Sequence, residues 1–325
     1  METTQKISLP TVSILIPTYN RENFIGECIE SALNQTFTDI EVILVDNAST
    51  DRTWQICQYY ASRDSRIRIF RNESNIGPVR NWIRCLEKAR GHYSKILFSD
   101  DLMFPDFISR TLPLLQDSSV AFAFSAAYIG GEIESGVVCY SNGPRTYYSI
   151  EEYLPLLIRG KVPYSPGAAL FRTADVRKNL LLTLPTCSQH DFPRHGAGPD
   201  VLLYALTTID YCAVAAVAEP LVLFRAHAGS ISICNKNNEV SAGYRAALSW
   251  FFAKRDTHDL WYDYLAIQWL IDPNNTRSWD SLGRFIKQHE GAGTTHEQFQ
   301  FMVKATFFVC PRTWQHLLGM ERLTA

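Results

Sequence analysis

The chain has 325 residues, room for one large domain or two small ones. Hydrophobic residues at 46% can bury a sizeable core, and charged residues at 20% exclude a disordered composition. With 31 Lys and Arg against 33 Asp and Glu the net charge is -2, which excludes attachment to nucleic acid by bulk charge but allows a local site for a phosphorylated small molecule.

The first ten residues, METTQKISLP, carry neither the basic nor the apolar segment of a signal peptide. Val12–Pro17 is a short apolar run and reads as a buried strand. Arg21–Asn34 follows as a helix, with Ile25, Cys28, Ile29, Ala32 and Leu33 on one stripe. Ile40–Val45 is a second strand ending at Asp46, and Ser49 or Thr50 can cap the helix that carries Trp54, Cys57 and Tyr60. Ile67–Phe70 is a third strand, and Val79, Trp82, Ile83 and Leu86 mark a third helix. Tyr93–Phe98 is a fourth strand, ending at Ser99-Asp100-Asp101, and Pro105 sits where the next helix starts.

This alternation predicts an α/β, Rossmann-like, mostly parallel central sheet flanked by helices. Ligands bind such sheets outside the carboxyl ends of the strands. The polar residues after each strand therefore matter most: Thr18 to Arg21, Asp46 to Ser49, Asn75 to Gly77, and Ser99 to Asp101. Carboxylates gathered at one edge need a compensating cation, and Asp100 and Asp101 offer the hard oxygens that suit Mg²⁺ or Mn²⁺. Tyr19 could stack on a base, and Asp46 could accept hydrogen bonds from a base or sugar. Each acid taken alone is more often a helix cap or turn residue, so the set carries the inference. Neither G-x-x-x-x-G-K-[ST] nor a G-x-G-x-x-G after the first strand occurs, which weighs against a nucleotide hydrolase or a dehydrogenase.

The segments Ser13–Arg21 (SILIPTYNR), Ser31–Phe37 (SALNQTF), Glu41–Asp51 (EVILVDNASTD), Asn75–Asn81 (NIGPVRN) and Phe98–Asp101 (FSDD) resemble, in order and spacing, the nucleotide-sugar-binding half of family 2 glycosyltransferases. The resemblance implies the GT-A fold. It also implies a nucleoside-diphosphate sugar donor held by Pro17, Thr18, Tyr19, Asn20, Arg21, Asp46, Asn75, Gly77, Arg80, Ser99 and Asp100. Asp51 matches a supporting position. Asp100 and Asp101 match the family's metal and ribose motif, which implies Mn or Mg as cofactor. Many members have Asp-x-Asp there, and the first of those acids falls on Phe98. Two assignments stay open: Asp100 on the ribose with Asp101 on the metal, or Asp100 on the metal and a ribose with one partner fewer.

Val120–Tyr128 reads as a further strand, Ile133–Cys139 as a hairpin arm, Ile150–Ile158 as a helix and Gly167–Phe171 as a short strand. A polar run from Ser188 leads to Asp200 at the head of a helix over Val201–Thr207. An acid there can serve the helix dipole alone. The resemblance implies the catalytic base at this place, taking the proton of the attacking hydroxyl in an inverting transfer. Asp191 is the alternative base. A metal cluster of His190, Asp191 and His195 is set aside, because a polar loop accounts for them. Pro220–Arg225 reads as the last strand, and Arg225-Ala226-His227 resembles the family's Arg-x-His segment. That match implies Arg225 beside the leaving diphosphate and His227 near the metal or diphosphate.

No stretch qualifies as a spanning helix; Val201–Ala218 comes nearest, but Asp210 and two threonines interrupt it. The eight cysteines form no C-x-x-C pair and read as reduced, mostly buried thiols. The expected organisation is a catalytic domain over 1–236, split into a nucleotide-sugar half (10–105) and an acceptor half (106–236), followed by a helical extension over 237–325. In the extension, Tyr244, Ala247, Leu248, Phe251 and Phe252 form one stripe and Leu260, Tyr264, Ile267 and Ile271 another, with a further helix from His296 to Phe308. Lys304, Arg312 and Trp314 lie among apolar residues that could meet a membrane surface, although packing on the catalytic domain accounts for them more simply. The expected function is an inverting glycosyltransferase, cytoplasmic or peripheral at the inner face of the membrane. Its acceptor would be a saccharide or a lipid-linked saccharide, as in bacterial surface-polysaccharide synthesis. The alternatives are a non-catalytic sugar-nucleotide-binding module, which Phe98 favours, and a nucleotidyltransferase, which would need a basic glycine-rich loop where Pro17–Asn20 stands.

Overall fold

The computed structural model describes residues 9–133, 135–183, 196–230 and 239–253, together with residues 255, 260 and 264. The chain divides into two compact units, Met1–Ala247 and Leu248–Ala325. The first unit is built on one sheet. Its first strands are β1 (Val12–Thr18), β2 (Ile40–Asp46), β3 (Ile67–Arg71) and β4 (Tyr93–Ile96). After them come β5 (Leu102–Met103), β6 (Val120–Gly130), β7 (Val137–Cys139), β8 (Tyr147–Ser149), β9 (Ala169–Arg172) and β10 (Ala213–Arg225). The order across the sheet is β3-β2-β1-β4-β9-β6-β10-β5, with β7 on β6 and β8 on β10.

Every residue of β1 and β2 is buried, as expected of parallel strands covered on both faces. The covering helices are α1 (Ile25–Leu33), α2 (Thr53–Ala61) and α3 (Pro78–Lys88). α1 turns Ile25, Cys28, Ile29 and Ala32 inward, which is the expected stripe. It starts four residues later than expected, because Arg21–Phe24 form a turn held by Arg21 N–H donating to Thr53 Oγ1 at 2.7 Å. Ser49 and Thr50 do not cap α2. Ser49 Oγ and Thr50 N–H instead bond Asn20 across the β1 and β2 loops, and Asp51 Oδ1 accepts from Thr53 N–H at 2.9 Å. Cys28, Cys57 and Cys85 are buried free thiols, as expected of helix-face cysteines.

β4 stops two residues short of Phe98. The chain turns there, with Asp101 N–H donating to Phe98 C=O at 2.9 Å, so Ser99 to Asp101 sit in a tight turn at the strand end. The two-residue β5, too short to show in the sequence, returns antiparallel to β10. The helix after Pro105 is α4 (Phe107–Thr111), extended by a 3₁₀ turn over Leu112–Leu115.

The second half of the sheet is mixed. β9 lies antiparallel between β4 and β6, and β10 runs parallel to β6. The β6–β10 register shifts around Pro220, which has no N–H for the ladder. α5 (Ile150–Ile158) begins where expected, because Ser149 and Glu152 form a capping box. α6 (Thr173–Asn179) follows β9, and α7 (Pro199–Thr207) precedes β10. α8 (Glu239–Ala253) runs across the boundary between the two units.

Two buried charged groups lie in the first unit away from the strand ends that form the site. Glu41 accepts from Ser13 Oγ (2.7 Å), Arg90 N–H (2.7 Å) and the side chains of Arg68 and Arg90 (2.9 Å each). Burial alone would raise its pKa, but these bonds outweigh it and hold the carboxyl below its ordinary range. Lys95 of β4 is fully buried, with its ammonium on Gly167 C=O and Ile96 C=O and 4.4 Å from the Phe107 ring. Among the described residues of the second unit, Leu248, Phe251, Phe252 and Tyr264 are buried. The remaining sequence-expected features of the extension, including the helix from His296, lie outside the described residues. Among the described residues no helix is long and apolar enough to cross a membrane.

Candidate active site

A cleft of about 810 Å³ opens at the carboxyl ends of β1 and β4. Of the expected donor residues, Pro17, Thr18, Tyr19, Arg21, Asn75, Ser99, Asp100 and Arg225 line it. So do Asp101 and Asp200. Residues separated by more than two hundred positions, Pro17 and Arg225 among them, therefore line a single cavity.

Asn20, Asp46, Gly77, Arg80 and His227 are not on the cleft wall. Asp46 is buried at the end of β2, paired with Arg71 at 3.0 Å and accepting from Ser49 N–H at 3.2 Å. It shapes the turn in which Ala48 takes φ +63, a conformation L side chains rarely adopt. Asn20, at φ +50, bonds that same turn. Gly77 takes φ +84, and Arg80 is exposed on α3. Asn47 was not singled out from the sequence, yet it organises this side. Its amide reaches Asn75 Oδ1 at 2.8 Å, and its oxygen accepts from Ile76 N–H and Asn72 Nδ2 at 3.0 Å each. Its place in the Asp46–Ser49 cluster was the available signal. Thr18 Oγ1 is buried with no hydrogen-bond partner among the described residues.

Asp100 Oδ2 accepts from Arg21 Nε at 3.2 Å and faces His227 Nε2 at 3.0 Å. Gly229 N–H donates to His227 Nδ1 at 3.1 Å, so Nε2 carries the imidazole proton and points it at Asp100. Both ring nitrogens of His227 are thus engaged, and the ring lies 4.4 Å from that of Phe24. Arg225 N–H donates to Asp101 Oδ1 at 3.0 Å, and its guanidinium meets Glu27 and Asp100 C=O. Burial first, and then the neighbouring Asp100 charge, push the Asp101 carboxyl well above its ordinary pKa. Two adjacent carboxylates, one of them buried, form an oxygen donor set that fits a hard divalent ion. Among the described residues no group of three or more His, Cys, Asp or Glu side chains converges as a metal cage. A two-carboxylate site is the kind that Mg²⁺ completes with phosphate oxygens and water.

Phe98 stands in the same cleft against Trp82, ring centroids 5.2 Å apart. Trp82 also lies over Gly196, where φ is +77 and a Cβ would come within 2.3 Å of the indole. Only glycine fits there.

Asp200 is the second residue of α7 and is buried. Its Oδ1 accepts from Gly198 N–H at 2.8 Å and Val201 N–H at 2.7 Å, and its Oδ2 accepts from Tyr244 Oη at 2.8 Å. Burial raises its pKa, these bonds lower it, and burial wins, leaving the carboxyl at about 7. Tyr140, Tyr164 and Tyr244 line the cleft around it. Asp191, His190 and His195 lie outside the described residues.

Such a cleft, with an acid pair at the strand ends and a lone buried acid opposite, is laid out as a transferase site on an α/β sheet. The family model described as "Glycosyl transferase family 2" matches residues 13–177, just over half of the chain, and the chain belongs to that family. The putative glycosyltransferase EpsH of Bacillus subtilis (strain 168) is 32% identical over 178 residues, covering 53% of this chain and 50% of that protein. Chondroitin synthase of Escherichia coli is 40% identical over 119 residues, covering 36% of this chain and 17% of that one. The chain spans half or less of the length of these relatives. Among solved structures, S. aureus TarS 1–349 in complex with UDP-GlcNAc superposes with a TM-score of 0.65 at 18% identity, over 86% of this chain and 82% of that one. The fold is GT-A, with the mostly parallel central sheet that the sequence implied. The mannosyltransferase PcManGT from Pyrobaculum calidifontis, in complex with GDP-Man and Mn²⁺, shares it with a TM-score of 0.54 at 16% identity.

Proposed function

We propose that this chain is an inverting glycosyltransferase that moves a sugar from a nucleoside-diphosphate sugar to an acceptor hydroxyl in polysaccharide biosynthesis. The observation that carries the proposal is the pairing of Asp100 and Asp101 with Asp200 around one cleft in a family 2 chain. Pro17, Thr18, Tyr19 and Asn75 would hold the nucleotide, and the unpartnered Thr18 hydroxyl gives that end a group whose burial a ligand could offset. Asp46, Asn20 and Gly77 would act behind the wall by holding the loops. Arg80 would reach the donor from the exposed face of α3.

Asp100 and Asp101 would hold a divalent ion, Mn²⁺ or Mg²⁺, with His227 steadying Asp100 or giving up that bond to join the ion. When bound, the ion supplies positive charge against the diphosphate oxygens. Arg21 and Arg225 add fixed cationic charge beside the same oxygens. Asp200 would take the proton of the acceptor hydroxyl, and a carboxyl near pH 7 is poised for that work. Asp191 remains the alternative base. Structural neighbours in complex with a nucleotide sugar support the donor class, and the polysaccharide synthases among the relatives support a saccharide acceptor, free or lipid-linked.

A thermal-shift panel of uridine, guanosine and thymidine diphosphate sugars with Mn²⁺, followed by assays of nucleotide release, tests this. One donor should stabilise the protein, and turnover should vanish with chelator and with Asp101→Ala. Asp200→Asn should cut turnover by about a thousandfold, within the usual span for a general base, while the donor still binds. Turnover indifferent to chelator and to both variants would sink the proposal. The Phe98–Trp82 pair at the motif favours a second reading, a sugar-nucleotide-binding module. That reading gains if the donor binds and no acceptor, water included, is ever turned over.

A further inference from the structure

Asp200 is held by more than its own helix. Oδ1 is used by two backbone N–H groups, so Oδ2 is the oxygen left to receive a proton. The side chain aimed at Oδ2 is Tyr244, at 2.8 Å, from α8 rather than from α7. Tyr244 lies on the cleft wall with its ring 5.0 Å from that of Tyr164, edge to face. It belongs to α8, beyond the 13–177 span of the family match.

We infer that Tyr244 is a positioning residue for the proton transfer: its hydroxyl fixes Asp200 Oδ2 on one lone pair and leaves the other facing the acceptor hydroxyl. The inference rests on Asp200 being the base. In the step itself the acceptor oxygen forms its bond to the anomeric carbon as the bond from that carbon to the diphosphate oxygen breaks. The bonding pair leaves on the diphosphate, and the acceptor's proton passes to Oδ2. Tyr244 keeps its own proton throughout. A donor on Oδ2 also favours the charged carboxylate, so it opposes burial and keeps Asp200 ionised over more of the neutral range.

Among the described residues, the titratable groups acting on Asp200 are Tyr164 ahead of β9, Tyr204 on α7 itself and Tyr244 on α8, with Tyr140 after β7 near all three. Each is a phenol that stays neutral in the working range, because burial raises its pKa. Tyr204 Oη is committed to Ser165 C=O at 2.8 Å and Tyr164 Oη to Leu157 C=O at 2.8 Å, so neither can replace Tyr244 on Oδ2 without breaking a bond.

The test is Tyr244→Phe in the full chain, which keeps the ring and removes only the hydroxyl. Two readouts are needed. The first, which needs no substrate, is the Asp200 titration followed by carboxyl-¹³C NMR against Asp200→Asn for assignment. The second is hydrolysis of the panel's best nucleotide sugar in Mn²⁺, with water as acceptor. The Asp200 titration and the acid limb of the rate profile should both move up by about one pH unit, the effect of one lost charge-assisted bond. The rate above that limb should fall about tenfold, a 1.4 kcal/mol change in barrier, with the donor KM unchanged. Ring-fluorinated tyrosine at position 244, a stronger donor, should move both readouts the other way. Tyr211→Phe, which removes a hydroxyl bonded to Asp175 outside the cleft, should move neither. An unmoved titration, or a rate loss with an unmoved acid limb, overturns the positioning role. Should Asp200→Asn keep full hydrolysis while Tyr244→Phe shifts the titration, the base assignment has failed and the hydrogen bond has not.

Discussion

At the scale of single residues, the site is a contest between burial and hydrogen bonding over the charge on each acid. Asp200 illustrates the sign. Its folded pKa, about 7, lies above the ordinary carboxylate value. The folded state therefore binds the proton more tightly than the unfolded one. The stability this gives is fully present below about pH 4 and is lost as pH rises through 7. The difference in unfolding free energy between Asp200→Asn and the parent should therefore swing in the variant's favour from pH 4 to pH 7.5. The swing should be on the order of 4 kcal/mol, from about three pKa units at 1.36 kcal/mol each. Urea melts at a series of pH values would measure it, and a flat difference would show that Asp200 is an ordinary surface-like acid. The cost is borne where it is useful, since a carboxyl that ionises only near neutrality is a competent proton acceptor there.

At the scale of elements, the strands separate structure from chemistry by their two ends. The carboxyl ends of β1 and β4 carry the cleft, while the opposite end of β2 carries the buried Glu41 that staples β1, β3 and the segment after α3. Glu41→Gln should lower stability at neutral pH by about 3 kcal/mol, the low end for a broken buried pair because both arginines are partly exposed. The folded pKa of Glu41 is depressed, so its contribution is present above about pH 4.5 and lost as pH falls through the lower folded value. The gap between variant and parent should close in acid, and a gap that persists at pH 2 would contradict this.

The elements also show what could be read in advance. The fully buried runs of β1 and β2, the stripe of α1 and the capping box of α5 follow local rules, so their places were legible. The start of α1 and the cap of α2 were not, because Arg21, Ser49 and Thr50 answer to partners about thirty residues away. Asp100 and Asp101 could be singled out by strand-end position and Asp200 by its place at a helix head, each together with the family pattern. Tyr244 was not: at helical spacing with Ala247 and Leu248 it looks like one more apolar-stripe residue, and only its reach to Asp200 distinguishes it.

At the scale of the whole first unit, two half-sheets of different character are joined through β9, which lies antiparallel between β4 and β6. Lys95 sits at this seam, its ammonium on the carbonyl of Gly167 just ahead of β9. Burial brings its pKa down to about 7, opposed by the Asp101 charge, and backbone carbonyls receive the ammonium. Lys95→Met, close in volume, leaves those carbonyls without their donor. The urea midpoint should fall by the equivalent of about 1 to 3 kcal/mol with the slope unchanged. A variant as stable as the parent would mean that hydrophobic packing replaces the ammonium at no cost, as some buried charges allow.

The seating of β10 has a consequence in time. Asp101 and the Arg225 N–H that holds it are 124 residues apart in the chain. During synthesis at about 5 to 20 residues per second, the acids leave the ribosome some 6 to 25 s before their partner. Throughout that interval the nascent chain carries two neighbouring carboxylates with neither Arg225 nor His227 beside them. Long-range pairing of this kind is also the slow part of folding. A nascent or refolding chain should therefore acquire donor affinity in its last phase, together with β10, and nucleotide-sugar binding becomes a clock for completed assembly.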